Sequence, residues 1–351
     1  MQRTIFFFVL GVSFFQGCLF AGDKPFGERN DVQQFIHQVA KQYHFETKKL
    51  TQLFDRVHLR PRVLVKIKHP FEKTQPWYVY RPHFLNQDRI DQGVIFWRKY
   101  RTMLHRAEKT YQVPASMIVA IIGIESSYGK KTGDFPVLDS LSNIAFNYSL
   151  RQDFFRTELT EFLLLCREKH LDPLSVYGSY AGAIGQPQFM PSSFRKYAVD
   201  FSHRGSIDLV HNDVDVIGSV ANYFHAYGWG LNQPVIVPAT VDFTKIKRRQ
   251  KALNQALITE SETEPTLSLL DLENLGVTPK KYLDRKQKVG LIQLEDPKGY
   301  EYWIGLNNFF VIKHYNRSPM YAMAAYELSQ EIEKEYKKKF MSHKQPESRS
   351  N

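Results

Sequence analysis

Glu125 closes an almost unbroken apolar run in the stretch VAIIGIESSYG, Val119 to Gly129. From Pro114, which starts a predicted helix, Ile118, Ile121, Ile122 and Glu125 fall at separations of three, four and seven, so they share one flank. Gly129 is the expected C-terminal stop. The helix dipole disfavours a carboxylate at that end, and apolar neighbours disfavour its charge further. Both effects act to raise its pKa, as a general acid near neutral pH requires. The same pattern also suits an ordinary helix-end glutamate that reaches into solvent. This stretch alone leaves both readings open.

Two further segments carry groups that suit a neutral polar ligand. YGSYAGAIGQPQFMPSSFRKYA, residues 177–198, places Gly178, Gly182 and Gly185 just before Gln186, Gln188 and Phe189. Closely spaced glycines permit tight turns and exposed backbone groups. Gln188 offers donors and acceptors, Tyr180 and Phe189 offer flat faces, and a serine of PSSF is expected to cap the next helix. In HYNRSPMYAMAAYELS, Asn316 lies between Tyr315 and Arg317, and Tyr321 opens the last predicted helix. Aromatic faces beside amides fit sugar rings better than phosphates. No dinucleotide fingerprint, P-loop or metalloprotease motif accompanies them, and no serine-hydrolase elbow is present. Cys166 sits in a helical core pattern with no evident base. Asp134 is a weak second carboxylate, nine residues after Glu125 in a Gly–Pro-flanked loop.

The elements that must position these groups are mainly helical. Helical spacing runs through residues 30–60, 89–111, 114 onward, 138–149, 153–169, 213–226 and 320–338. From 233 to 305 the pattern becomes strand-like, in PVIVPATVDF, GLIQLED and YEYWIGLNNFFVIK, and predicts a small β-containing insert. Residues 306–340 return to the helical body, and the polar 341–351 end reads as a disordered tail. The first 21 residues read as a secretory signal. An alternative signal ends at Gly17 and leaves Cys18 as a lipidated first residue. With Cys18 removed or lipidated, no internal disulfide can form, and a chain of roughly 330 residues must rest on a hydrophobic core. The formal charge of +11 in an exported chain points to an anionic partner such as a membrane surface or cell wall. Nucleic acid is a poor fit, because no binding module is apparent.

Taken together, IIGIESSYG, GSYAGAIGQPQFMPSSF, GSVANYFHAYGW and YNRSPMYAMA resemble, in order, motifs of the membrane-bound lytic murein transglycosylase B family. WYVYRPHF near the N-terminus fits as well. The resemblance implies a lysozyme-like helical core over 111–232, a flanking helical region over 25–110 and the small β-containing domain. It implies cleavage of the β-1,4 bond between N-acetylmuramic acid and N-acetylglucosamine, with a 1,6-anhydromuramoyl end as product. Glu125 would act first as acid and then as base. Gln188 and Phe189 would lie near the cleavage point, and Tyr223, Tyr315, Asn316, Tyr321 and Tyr80 would line the sugar path. A silent wall-binding module and a hydrolytic muramidase are the competing readings.

Members of that family carry an EF-hand-like calcium loop after QFMPSS. The equivalent here spans 200–215, with Asp200, Ser202, Ser206 and Asp215 as candidate ligands. Arg204 stands at position five, where an oxygen donor belongs. Weak or absent calcium binding is therefore expected, and no cofactor is required. The expected partners are peptidoglycan glycan strands, with a lipid anchor in the outer membrane as an alternative to a soluble periplasmic monomer.

Overall fold

The computed structural model describes residues 25–68, 75–242, 244 and 250–341. The predicted signal, Cys18 and the tail beyond Met341 lie outside them. The chain divides into two units, the first ending at His58, inside the helical region read as 25–110. In this first unit, helix α1 (Asn30–Tyr43) buries Val32, Phe35, Ile36 and Val39, one turn apart along one face. Helix α2 (Thr47–Phe54) buries Leu50 and Phe54, and the Phe35 and Phe54 rings meet edge-on at 5.9 Å.

The second unit begins with α3 (Pro61–Lys68), α4 (Trp77–Phe84) and the long α5 (Gln87–Tyr111). Asn86 caps α5 by accepting from the Arg89 N–H, and non-helical dihedrals at Tyr100 kink it. At the centre lies α6 (Ala115–Ser126), packed by α5, by α10 (Asp213–Ala226) and by the last helix, α14 (Pro319–Phe340). Ala115 through Gly123 are all buried. The predicted apolar flank of Ile118, Ile121 and Ile122 is buried, and burial extends around the rest of the helix as well, as a central helix enclosed by others requires.

The two-residue strand β1 (Phe135–Pro136) precedes α7 (Val137–Asn147), which pairs with α8 (Gln152–Glu168). Buried Asp139 on α7 accepts from Arg60 Nε at 2.8 Å, and Asn143 Oδ1 accepts the Arg60 N–H, also at 2.8 Å. These bonds fix the start of α3 against α7. Strand β2 (Tyr177–Gly178) pairs antiparallel with β1, and α9 (Pro191–Tyr197) packs on α8.

The expected β-containing insert is a five-stranded antiparallel sheet in the order β4-β6-β7-β3-β5. Its strands are β3 (Ile236–Val241), β4 (Leu267–Ser268), β5 (Val277–Pro279), β6 (Lys288–Asp296) and β7 (Gly299–Gly305). Helices α11 (Gln250–Ala256) and α12 (Leu269–Asn274) complete it. Val237, Leu253, Leu272, Val289, Leu291 and Ile304 form its own small core. Helix α13 (Asn307–Tyr315) then leads back to the helical body and to α14.

Two buried polar residues of α13 tie the insert down. Asn308 accepts the Gly230 N–H and donates to the Gly230 and Gln233 carbonyls, all within 3.1 Å. Lys313 has no exposed surface, and its ammonium donates to the carbonyls of Thr259, at 2.5 Å, and Glu262. Burial pulls the Lys313 pKa down to about 8, against the opposing pull of Glu262 and Glu260.

Candidate functional site

Glu125 lies half-buried in the last turn of α6. The chain leaves the helix through three successive left-handed residues, Ser127, Tyr128 and Gly129, with φ of 51°, 60° and 85°. Two of them are not glycine, a conformation that persists only when the surroundings impose it. The constraint is visible. Ser126 Oγ donates to the Ile122 carbonyl and accepts the Gly129 N–H, and the Tyr128 hydroxyl donates to the Arg89 carbonyl at 2.8 Å. A Cβ at Gly123 would come within 2.5 Å of that hydroxyl, so the glycine of IIGIESSYG admits the Tyr128 ring. The expected stop at Gly129 thus falls three residues after the helix ends, with the intervening turn held from α5.

The Glu125 carboxylate is held from the far end of the sequence. Tyr321, in the first turn of α14, donates its hydroxyl to Glu125 Oε1. Ser318 accepts the Tyr321 N–H, and Asn316 Oδ1 accepts the Ser318 N–H at 3.0 Å. Asn316 thereby shapes the turn from which Tyr321 projects. Burial, followed by the nearby Glu125 charge, pushes the Tyr321 pKa well above the tyrosine range. It stays a phenol and a permanent donor.

Phe189, Tyr223 and Tyr315 pack into one wall, with ring centroids 4.7 to 5.9 Å apart. Tyr315 and Tyr223 also have pKa values raised first by burial; for both, the Glu125 charge adds to the rise. The wall joins the Glu125 site through Tyr315, which directly precedes Asn316, the residue that shapes the Tyr321 turn. Phe189 is 2% and Tyr223 5% exposed, so they back the site rather than presenting open faces to it. The two tyrosine hydroxyls are committed inward: Tyr223 donates to the His314 carbonyl at 2.7 Å and Tyr315 to the Pro187 carbonyl at 2.5 Å.

The glycine-rich segment is folded by its glutamines. Gln188 itself is left-handed, at φ 50°, and its Nε2 donates to the Gly185 carbonyl at 2.8 Å and to the Thr132 carbonyl at 2.9 Å. This ties the segment to the loop after α6. Gln186 is buried and donates to Asp213 Oδ1 at 2.6 Å, while Tyr100 donates to the other Asp213 oxygen. The predicted serine cap of α9 is corrected. Ser192 gives both its N–H, at 3.0 Å, and its hydroxyl, at 2.6 Å, to the buried carboxylate of Glu158 on α8. An acid from another helix therefore satisfies the α9 N-terminus. Burial raises the Glu158 pKa, against the lowering effect of the Ser192 bonds.

The 200–215 loop keeps an EF-hand-like turn without its ligand chemistry. Asp200 accepts the N–H groups of Arg204, at 3.0 Å, and Gly205, at 2.7 Å. Asp215 accepts from the Ser202 N–H at 2.8 Å, the Asp208 N–H at 3.1 Å and Asn212 Nδ2 at 2.9 Å. Ser202 Oγ accepts from Asn212 as well, and Ser206 is exposed. Arg204 supplies a cation where a hard metal needs oxygen. The residues present do not fit calcium, and among the described residues no cluster of three or more His, Cys, Asp or Glu could hold a metal.

Tyr80 lies away from any open surface. It is fully buried, packs against Trp77 and Phe84 at 6.2 and 4.9 Å, and lies near enough to Tyr321 to add to the rise of that residue's pKa. Cys166 is buried, and burial pushes its thiol pKa up to about 12, which makes it inert. Asp134 is exposed on the loop after α6. Sequence reasoning missed Tyr100, Tyr128 and Glu158, and the role of Gln186 as an anchor on Asp213. Tyr128 and Gln186 both stood inside quoted motifs, and Gln186 alone had a signal of its own, its place two residues before Gln188.

Comparison with known proteins bears on this geometry. The chain matches the model of the transglycosylase SLT domain over residues 27–330. It is 37% identical over 316 residues to the membrane-bound lytic murein transglycosylase B of Escherichia coli K12, covering 88% of this chain and 84% of that protein. The catenated lytic transglycosylase SltB1 from Pseudomonas aeruginosa superposes with a TM-score of 0.80 at 44% identity, over 88% of this chain and 99% of that one. SltB3 from the same organism, in complex with NAG-NAM-pentapeptide, gives 0.70 at 27% identity, over 86% and 79%.

Proposed function

The chain belongs to the transglycosylase SLT family, and on that footing we propose a lytic murein transglycosylase in which Glu125 alone serves as acid and then as base. The substrate is peptidoglycan, cleaved at the β-1,4 bond between N-acetylmuramic acid and N-acetylglucosamine. Glu125 donates its proton to the departing glycosidic oxygen. The muramoyl N-acetyl group stabilises the positive centre, and the carboxylate then takes the proton of the C6 hydroxyl as that oxygen attacks C1. The product is a 1,6-anhydromuramoyl end, and no water is consumed.

The observation that carries this reading is the bond from Tyr321 to Glu125. It joins the glutamate motif to the Tyr–Asn motif in one site, backed by the aromatic wall. A phenol donor stabilises the carboxylate formed on proton donation and keeps it oriented for the return step. Ordinary glycosidases place two carboxyl groups across the bond. Here the exposed Asp134 is the only acidic residue on the loop that follows. Export to the periplasm, with anchoring to the outer membrane through Cys18 or release after Ala21, completes the proposal. No helix among the described residues is long and apolar enough to cross a membrane.

Mass spectrometry of purified murein digested by the chain tests the reaction. Anhydro ends are expected, and Glu125→Gln is expected to stop turnover while leaving murein binding intact. Products heavier by one water would establish a hydrolase, and bound murein with no soluble product would establish a binding module.

A further inference from the structure

The turn that carries the chain out of α6 is braced from α10 and α5. Gly129, the last of its left-handed residues, lies against the buried side-chain amide of Gln186. A Cβ on Gly129 would fall 2.9 to 3.2 Å from Gln186 Cδ, Oε1 and Nε2, so the amide covers the glycine with its face. Nε2 donates to Asp213 Oδ1 at 2.6 Å and to the Val210 carbonyl at 3.2 Å, while Oε1 accepts no hydrogen bond among the described residues. A reversed amide would turn Oε1 toward a carboxylate and a carbonyl, both acceptors. Asp213, the first residue of α10, therefore sets the orientation of the group that packs on the turn.

Asp213 is itself held. Tyr100 donates to its other oxygen, and the non-helical φ of -108° and ψ of 21° that kink α5 occur at this tyrosine. Lys99 stands 3.9 Å from the same oxygen. The Tyr100 ring meets Phe96 at 4.8 Å, and Phe96 meets Tyr128, the middle residue of the turn, at 5.6 Å. Asp213 thus reaches the turn by two routes, through Gln186 to Gly129 and through Tyr100 and Phe96 to Tyr128. Gln186 is 4% exposed and both its amide hydrogens are committed, so it presents no donor to a substrate.

Resting on the reading of Glu125 as the working acid, we propose that Asp213 is a positioning residue for it. By bonding Gln186 and Tyr100 it fixes the Ser127–Gly129 turn, and with it the Glu125 carboxylate that Tyr321 meets. A misplacement of about 1 Å at a reacting group costs up to about 100-fold in rate, so the brace acts on kcat rather than on binding.

The test is steady-state cleavage of soluble murein glycan strands, with thermal unfolding recorded for each variant and assays run well below every midpoint. Asp213→Ala should lower kcat roughly 10- to 100-fold and move KM less than about twofold. Asp213→Asn should recover most of that loss, because its Oδ1 still accepts from Gln186 and its Nδ2 donates to the Tyr100 hydroxyl. Gln186→Leu should lower kcat too, and Asp213→Ala should do less harm in that background than in wild type, because both act on one turn. A loss carried by KM would move the effect to the Gly–Gln–Phe segment and overturn the proposal. Full additivity, or an Asn variant as poor as the Ala one, would overturn it as well. Should Asp213→Ala fail to fold, Tyr100→Phe decides: kcat should fall roughly two- to tenfold, the range of one hydrogen bond, and an unmoved kcat refutes the brace. A wild-type chain that cleaves nothing would end the reading of Glu125 and the proposal with it; an active wild type with kcat unmoved in these variants removes the brace alone.

Discussion

Replacing Tyr321 with phenylalanine removes one oxygen from the site and leaves the ring. That oxygen bonds Glu125 Oε1, and the side chain is 3% exposed, so bulk water does not readily replace it. A hydrogen bond to a charged group contributes roughly 1.5–3 kcal/mol net. The bond is strongest when Glu125 has given up its proton, so the loss falls on the transition state rather than on substrate binding. At 1.36 kcal/mol per factor of ten, kcat should drop roughly 12- to 160-fold. KM should change little, and the melting temperature should stay close to wild type because the ring still fills its buried place. The assay is release of soluble muropeptides from purified murein at saturating substrate, with thermal unfolding measured in parallel. A kcat within threefold of wild type, or a loss confined to KM, would refute the argument that Tyr321 stabilises the working carboxylate.

The remaining predictions concern the supports of the site. Glu158 has a folded-state pKa raised above its ordinary 4.5, so above pH 4.5 the folded chain binds more protons than the unfolded one. Its contribution to stability therefore falls as pH rises from 4.5 through the raised value. Denaturant unfolding from pH 4 to 8 should show wild type losing stability relative to Glu158→Gln over that window, and the opposite slope would refute the assignment. Calcium should leave the melting temperature unchanged. A working loop with a Kd of about 10 μM would gain about 2.7 kcal/mol at about 1 mM calcium, an effect visible in thermal unfolding against a chelator control.

What the sequence disclosed was what lies close together along it. The glutamate, Gly–Gln–Phe and Tyr–Asn strings stood out because each is local, and the strand-like stretch from 233 to 305 announced the sheet. Bonds between distant residues left no such trace. Tyr321 and Glu125 are 196 positions apart, and Ser192 receives its partner from 34 positions upstream. The serine cap was misread for that reason: the local signal was present, and a buried acid from α8 displaced it. The flank on α6 is buried as its spacing suggested, but the spacing shows only that one face. A helix enclosed by three others buries its remaining sides too, and only the packing reveals that. Tyr80 sits in a motif-like string and is buried, and the letters alone do not tell a packing ring from one behind the site, because aromatic residues serve both roles.

The anchoring of Lys313 bears on how such a chain can be recombined. A sheet lying between two helices looks like a cassette, to be cut out or exchanged for a relative's version. Exchanging 233–305 for a version that covers Lys313 without the Thr259 and Glu262 carbonyls would leave a buried ammonium unpaired, at a cost of several kcal/mol. The helix that bears the cost ends at Tyr315, a member of the wall behind Glu125. A chimera that swaps the sheet must therefore carry position 313 across the junction, or change it to an apolar residue, before its activity says anything about the sheet.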